Sequence, residues 1–256
     1  MTALEPVFTW DNAGLKVFLL LSGTICVYLI YWLTIESVSV RHLFNKGKDP
    51  GQGSLRFFMF NKLWGGFWFG LVCPLAAWFL FPAYSLRQLG LAFPGSGKPA
   101  VIAVVSGLIL IPLLIMVAWL KNRGTARKGG DFGRYPEIGM KTWTAGTIVA
   151  NAGFWSLYLF AYELLFRGIL LFLLAAELGV WPAIGINIAL YSAVHIPKGA
   201  QEAVGALFLG FVFCLLALTT ASVLVPFLAH AAMAVANCQS AFHYRNDTQY
   251  LRGRFL

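Results

Sequence analysis

Long apolar runs separated by short polar segments are the main pattern along the chain. Several runs exceed the roughly 18 residues that a helix needs to cross about 30 Å of hydrocarbon. The alternation of apolar and polar positions expected of membrane β-strands is missing from them. The pattern predicts an all-α, multi-pass transmembrane helical bundle with about seven to eight membrane helices. The runs cover residues 14–35, 57–81, 100–120, 143–178, 183–195, 202–218 and 223–241.

The fourth run, residues 143–178, is too long for one straight crossing. A helix of this length either tilts or places its first turns in the membrane interface. Gly153 lies inside the run, and a glycine is one of the recognised positions for a helix bend. We therefore expect the fourth helix to bend near Gly153.

Composition supports a membrane protein with one domain. Hydrophobic residues make up 59% of the 256 residues and charged residues 11%, whereas charged residues make up about 25% of ordinary soluble domains. No internal repeat and no polar stretch long enough for a second soluble domain interrupts the runs. We interpret residues 1–256 as a single transmembrane domain.

The formal net charge of +9 comes from basic residues in the segments between the apolar runs. This distribution is typical of the positive-inside rule and not of a nucleic-acid-binding surface. If the N-terminus lies outside, the three most basic segments all fall on the cytoplasmic side, together with the C-terminus. The expected location is a bacterial-type inner membrane, with membrane lipid as a partner and no nucleic acid.

Two charges interrupt the fourth run, at Glu163 and Arg167. A charge at the centre of a bilayer costs roughly 2.5 to 3.5 kcal/mol on insertion scales. Residues four apart share one helix face, so these side chains can partly neutralise each other. One interpretation is a structural ion pair inside the bundle, and the other is a reactive carboxylate held by an arginine.

Two histidines lie in later runs at a comparable depth. His195 closes the fifth run with Tyr191 on the same face, and His230 lies inside the seventh run with Asn237 on its face. Counting about 1.5 Å of rise per residue from the outer helix ends, both histidines and Glu163 lie roughly 12 to 20 Å deep. Together they could form either a general base with hydrogen-bond donors or a metal site with an open position.

Three motifs contain these residues: Glu163-Leu164-Leu165-Phe166-Arg167-Gly168, Tyr191-Ser192-Ala193-Val194-His195 and Pro226-Phe227-Leu228-Ala229-His230. In order, spacing and helix placement they resemble the motifs of the CPBP family. That family contains the type II CAAX prenyl endopeptidases and the bacteriocin-processing or immunity proteins of the Abi type. The resemblance covers about residues 153–237, within a core of about residues 142–241.

The resemblance implies an intramembrane endopeptidase in which a glutamate activates water. Glu163 would be the base, Arg167 would orient it, and His195 and His230 would bind the developing oxyanion or hold a metal. The glutamate mechanism needs no cofactor, whereas the metal alternative implies zinc or another divalent ion. The implied substrate is a membrane-associated protein or peptide, prenylated peptides included.

Two positions depart from the family's pattern. The first motif usually begins with two glutamates, but Tyr162 precedes Glu163. The last motif usually has an asparagine four residues after its histidine, where this chain has Ala234; Asn237 is the candidate to replace that amide.

These departures keep other functions open. The main alternative is a catalytically inactive CPBP-like scaffold or assembly partner in a larger membrane protein complex. A proton or ion relay through the glutamate and the two histidines is a weaker one, because the first three runs contain too few polar residues for a path to both faces.

Overall fold

The structure is a computed structural model that describes residues 12–46, 49–132, 135–245 and 249–250. Its first half contains α1 (Asn12–Glu36), α2 (Val38–Asn45), α3 (Pro50–Phe67), a π-helical segment (Trp68–Val72), α4 (Cys73–Leu80) and α5 (Lys98–Arg127). Its second half contains β1 (Thr142–Trp143), α6 (Ala145–Glu163), a second π-helical segment (Leu164–Leu170), α7 (Leu171–Leu178), α8 (Val180–Ala193), a 3-10 turn (Ile196–Lys198), α9 (Ala200–Thr220), α10 (Leu224–Tyr244) and β2 (Gln249–Tyr250).

The predicted all-α, multi-pass class is confirmed. Six helical segments of the described residues are long and apolar enough to cross a membrane, as judged from length and composition. The predicted seventh span, α10, has 21 residues, is not among those six, and packs inside the bundle against α5, α6 and α9. The six segments are Ala13–Glu36, Pro50–Leu80, Lys98–Arg127, Ala145–Leu178, Val180–Lys198 and Ala200–Thr220.

The helix at Ala145–Leu178 lies at the centre of the bundle. In its most apolar window 78% of the residues are buried, against 11% for Lys98–Arg127, so the first is a core helix and the second a peripheral one. Thr144 begins α6 by accepting, through its hydroxyl, the backbone N–H of Thr147 at 3.2 Å, a typical N-cap.

The irregularity in this long helix is not at the predicted position. Gly153 lies within regular α-helix, whereas Leu164–Leu170 is π-helical. π-Helical turns are rare and occur often at functional sites. The bend expected at Gly153 stays a prediction; the added Cβ of an alanine would meet nothing there within 4 Å.

The connection between α4 and α5, residues 81–97, folds back into one end of the bundle. The Ser222 hydroxyl donates to the carbonyl of Ala92 at 2.6 Å, and the Val223 N–H donates to the carbonyl of Gly90 at 3.0 Å. These bonds attach the connection to the start of α10. The carbonyl oxygen of Leu89 approaches Gly168 closely: a Cβ added to Gly168 would lie 2.9 Å from that oxygen.

A buried ion pair attaches the connection between α5 and α6 to the helices. Lys62 of α3 is 3% exposed, and its ammonium lies 3.1 Å from a carboxylate oxygen of Glu137. The same ammonium lies 3.4 Å from the ring centroid of Trp155 and 4.9 Å from that of Tyr158, both in α6. Aromatic faces and a carboxylate thus offset the burial of this charge and hold α3 against α6.

Gly168→Ala should destabilise the fold, because the new methyl meets a backbone carbonyl that cannot turn aside. We expect the free energy of unfolding to fall by about 1 to 3 kcal/mol, the usual cost of overpacking. Gly153→Ala is the matched control and should be neutral or stabilise by up to about 1 kcal/mol. Unfolding of the purified protein by heat or by detergent titration measures both, and equal effects would contradict the close approach at Gly168.

Candidate active site

Glu163 is the last residue of α6 and lies directly before the π-helical segment. Its side chain is fully buried. The Nδ1 of His230 lies 2.6 Å from Oε1, and the Nη1 of Arg167 lies 3.4 Å from Oε1 and 3.2 Å from Oε2. An ionised carboxylate only accepts hydrogen bonds, so the His230 Nδ1–H donates. The carboxylate therefore has a donor from α10 on one side and a guanidinium from its own helix on the other.

Arg167 is also fully buried and is sandwiched by aromatic rings. Its Cζ lies 3.9 Å from the ring centroid of Tyr191 and 5.5 Å from that of Phe213. Among the described residues, its Nε and Nη2 have no hydrogen-bond partner, and neither has Oε2 of Glu163. The contact from Nη1 to Oε2 is within ion-pair distance, but its angle is not that of a hydrogen bond.

His195 follows α8 and is 8% exposed. Its Nδ1 lies 2.7 Å from the backbone carbonyl oxygen of Tyr191. A carbonyl can only accept, so Nδ1 carries the proton and, in the neutral ring, Nε2 carries the lone pair. The backbone of α8 thereby sets which nitrogen of His195 is available as an acceptor.

Tyr162 faces both imidazoles. Its ring centroid lies 6.0 Å from that of His230, 6.5 Å from that of His195 and 5.9 Å from that of Tyr191. The residue at the position where the family's pattern has a glutamate is thus part of the cluster. The structure brings together six of the seven predicted residues: Tyr162, Glu163, Arg167, Tyr191, His195 and His230.

Asn237 is the exception, and its expected role beside His230 is wrong in this structure. Its side-chain oxygen and its backbone carbonyl accept from the Nδ2 of Asn122 in α5, at 3.0 and 2.9 Å. Seven residues along α10 correspond to about 10 Å of rise, so the amide lies two turns from the imidazole. The pair joins α5 to α10 as interhelical polar contacts in membranes do.

Asn187 supports the site and was missed by the sequence analysis. It is fully buried in α8, and its Nδ2 donates to the carbonyl of Phe166 at 2.6 Å. The Cys214 thiol donates to its Oδ1 at 3.3 Å. Asn187 thus gives a second donor, beside the backbone N–H of Leu171, to a carbonyl within the π-helical turn that contains Arg167. Its signal in the sequence was a lone amide in an apolar run, four residues before Tyr191.

Gly210 of α9 is the second supporting residue that the sequence analysis missed. A Cβ there would lie 3.0 Å from the Tyr191 ring and 3.3 Å from Nη2 of Arg167. A residue without a side chain lets α9 approach the arginine closely. One glycine among many in apolar helices carries no signal that could have distinguished it.

The donor set does not fit a three-ligand metal site as arranged. No group of three or more His, Cys, Asp or Glu side chains in the described ranges is placed to hold a metal ion. His230 binds Oε1 of Glu163, which leaves Oε2 and the Nε2 atoms of His195 and His230 as possible ligand atoms, but the side chains are not grouped to hold an ion. The metal role of these histidines stays a prediction.

The fold and the site define a class: a multi-pass integral membrane protein with a carboxylate and two imidazoles buried inside its bundle. Residues 143–236 match the family described as "Type II CAAX prenyl endopeptidase Rce1-like". This segment is therefore similar to the family that the sequence motifs resemble, and the match supports a protease. No curated protein and no solved structure matches the chain.

Asn187→Leu should destabilise the protein, because the carbonyl of Phe166 would lose one of its two donors and keep only the backbone N–H of Leu171. We expect a loss of about 0.5 to 1.5 kcal/mol in the free energy of unfolding, the usual net contribution of one hydrogen bond. Cys214→Ala removes only the weaker thiol donor to Asn187 and should cost less. Thermal unfolding in detergent compares the two, and an Asn187→Leu loss no larger than that of Cys214→Ala would refute the assigned bond.

Proposed function

We propose that the protein is an intramembrane endopeptidase that hydrolyses a peptide bond of a membrane-associated protein or peptide with glutamate-activated water. One observation carries this proposal. Glu163 is fully buried, with Oε1 bound by His230 at 2.6 Å and Oε2 without a hydrogen-bond partner among the described residues. A buried acceptor that is held in place but not saturated is what a general base needs.

Water activation follows from the acceptors that the site offers. Oε2 of Glu163 takes the proton of a water molecule as the water oxygen bonds to the scissile carbonyl carbon. The lone pair on Nε2 of His195 accepts the second hydrogen bond of that water and orients it. Arg167 holds the carboxylate through Nη1, so the base keeps its position during the transfer.

His230 is the donor of the site. Its Nδ1 is bound to Glu163, which leaves Nε2 on the opposite side of the ring. When the ring is charged, Nε2–H donates to the oxyanion that forms on the carbonyl oxygen. The intermediate collapses as the C–N bond breaks, and the proton taken by Glu163 passes to the leaving amine.

The orientation proposed from the charges has the C-terminus and the connection between α5 and α6 on the cytoplasmic side and the N-terminus outside, in a bacterial-type inner membrane. The parallel pairing of β1 with β2 supports a common side, because it joins Thr142 to Gln249. The described basic residues at the end of α5, in the connection to α6 and after α10 are Lys121, Arg123, Arg127, Lys128, Lys141 and Arg245. Positive segments stay in the cytoplasm.

The second candidate function is that of a catalytically inactive CPBP-like scaffold or assembly partner of another membrane protein. Tyr162 replaces a glutamate of the family's pattern with a group that is a poor base at neutral pH. Ala234, 6% exposed, provides no amide donor beside His230. The two imidazoles are at most 8% exposed, so a peptide reaches them only after the surrounding helices separate.

Glu163→Gln should abolish proteolysis, because the amide keeps the size of the side chain but cannot take a proton. The rate should fall by about 10² to 10⁴, the contribution of a general base. New peptide termini, quantified by mass spectrometry in membranes of cells that express the chain, measure it. Glu177→Gln, on the same long helix but outside the site, is the control.

If cells that express Glu163→Gln still produce the new peptide termini, the glutamate mechanism is refuted. If cells with and without the wild-type chain contain the same peptide termini, the scaffold function is favoured. In that case a partner membrane protein should co-purify in equal amounts with the wild type and with Glu163→Gln. Elemental analysis of the purified protein tests the metal alternative.

A further inference from the structure

An open apolar groove runs along the surface of the bundle between α5 and α9. Its volume is about 450 Å³; α5 lines it with positions between Val101 and Leu110, and α9 lines it with Val212 and Leu216. The hydroxyl of Ser106, which also lines it, donates to a carbonyl of its own helix. The groove therefore presents apolar surface and no free hydrogen-bond donor.

The groove lies at the depth of one half of a membrane. From Val101 to Leu110 an α-helix rises about 14 Å, roughly half of a hydrocarbon core that is about 30 Å thick. The α5 residues beside it are exposed at the surface of the bundle, Val105 by 49% and Ile109 by 60%. No water is present at this depth to fill such a space, so a hydrocarbon chain fills it.

One end of the groove is polar on both helices. The exposed Lys98 precedes Ile102 by four residues, so it lies one turn above the apolar positions on the same face of α5. Thr219, also exposed, follows Leu216 by three residues on the matching face of α9. An apolar groove that ends in a lysine and a hydroxyl resembles the outline of a lipid, with its acyl chain and its polar headgroup.

The charge at this end favours an anion. Neither the connection between α4 and α5 nor that between α9 and α10 contains an acidic residue. Within the part of the chain that the structure describes, no carboxylate forms an ion pair with Lys98. A long lysine side chain at the end of a membrane helix extends its ammonium to the level of the lipid phosphates. The ammonium of Lys98 is therefore available to a phosphate.

We propose that this groove is a binding site for a phospholipid with a net negative headgroup, of the phosphatidylglycerol type. One acyl chain lies along α5 and α9, and a phosphate oxygen accepts from the ammonium of Lys98. The hydroxyl of Thr219 donates to the carbonyl of Leu215 at 2.7 Å, which leaves its oxygen to accept from a headgroup hydroxyl. A zwitterionic lipid binds less well, because its own cationic group competes with Lys98 for the phosphate.

The bound lipid would join two helices at the end where they lack an ion pair. At the opposite end, Lys121 of α5 and Glu202 of α9 are paired. α9 also carries Phe213, which packs beside Arg167 in the candidate active site. A lipid in the groove thus supports α9 from its membrane side, and this role holds for a peptidase and for a scaffold alike.

The test uses the purified full chain in detergent micelles and three probes. They are dioleoyl phosphatidylglycerol, dioleoyl phosphatidylcholine, and glycerol 3-phosphate, which is a headgroup without acyl chains. Native mass spectrometry counts the bound molecules, and a titration gives each dissociation constant. Phosphatidylglycerol should bind roughly three- to tenfold more tightly than phosphatidylcholine, as expected from one lysine at a lipid surface.

A charge variant identifies the lysine as the cause of this preference. Lys98→Gln should bring the ratio of the two lipid affinities close to one. Lys16→Gln is the matched control, because it removes the same charge from α1, where the ammonium lies 5.7 Å from the ring centroid of Phe81. This control should keep the wild-type ratio.

A second pair of variants identifies the groove. Val105→Trp places a large ring in the groove and should weaken the binding of both lipids severalfold. Leu108→Trp is its control, since Leu108 is 71% exposed on the same helix and does not line the groove. It should bind both lipids as the wild type does.

Three results would overturn the lipid site. They are equal affinity of the wild type for both lipids, unchanged binding in Val105→Trp, and binding of glycerol 3-phosphate as tight as that of phosphatidylglycerol. The last would indicate a site for free phosphate at Lys98. Lipid binding is measured without any cleavage, so a failure here leaves the peptidase proposal standing, and a chain without peptidase activity leaves the lipid site standing.

Discussion

The hydrogen bond between Glu163 and His230 is the interaction on which the rest of the structure depends. A carboxylate inside a bundle is costly unless it is paired and hydrogen-bonded. Here the two partners come from different elements, His230 from α10 and Arg167 from the π-helical turn. The pairing therefore joins α10, the end of α6 and the irregular backbone after Glu163 at one point. Removing any one of the three charged or polar groups would leave the others buried and uncompensated.

The π-helical turn explains why side chains from several other helices contact the site. It directs Arg167 between Tyr191 and Phe213, and its Phe166 carbonyl accepts from Asn187 of α8 as well as from the backbone N–H of Leu171. Irregular backbone at membrane depth is tolerated only where protein buries it. Tight packing of this kind favours a site with one fixed geometry, which is what proton transfer needs.

The sequence predicts those residues whose burial in a membrane costs free energy, because a polar residue inside an apolar run can be recognised from the sequence alone. Charges and imidazoles inside apolar runs stand out, so Glu163, Arg167, His195 and His230 could be found, as could the limits of six spans to within seven residues. Features that depend on three-dimensional contact could not be found. The π-helical turn has no residue signature, Gly210 differs from other glycines only by its neighbours, and the buried ion pair of Lys62 with Glu137 joins distant segments. Helical spacing alone suggested Asn237 beside His230, but a nearer partner, Asn122, occupies it.

A double-mutant cycle between Glu163→Gln and His230→Leu tests the central pairing most directly. The free energy of unfolding of the wild type, both single variants and the double variant is measured in the same detergent. Groups in one hydrogen-bond network couple by about 0.5 to 3 kcal/mol, and the 2.6 Å contact predicts a value in the upper part of that range. Effects that add within about 0.3 to 0.5 kcal/mol, as for independent sites, would contradict the account.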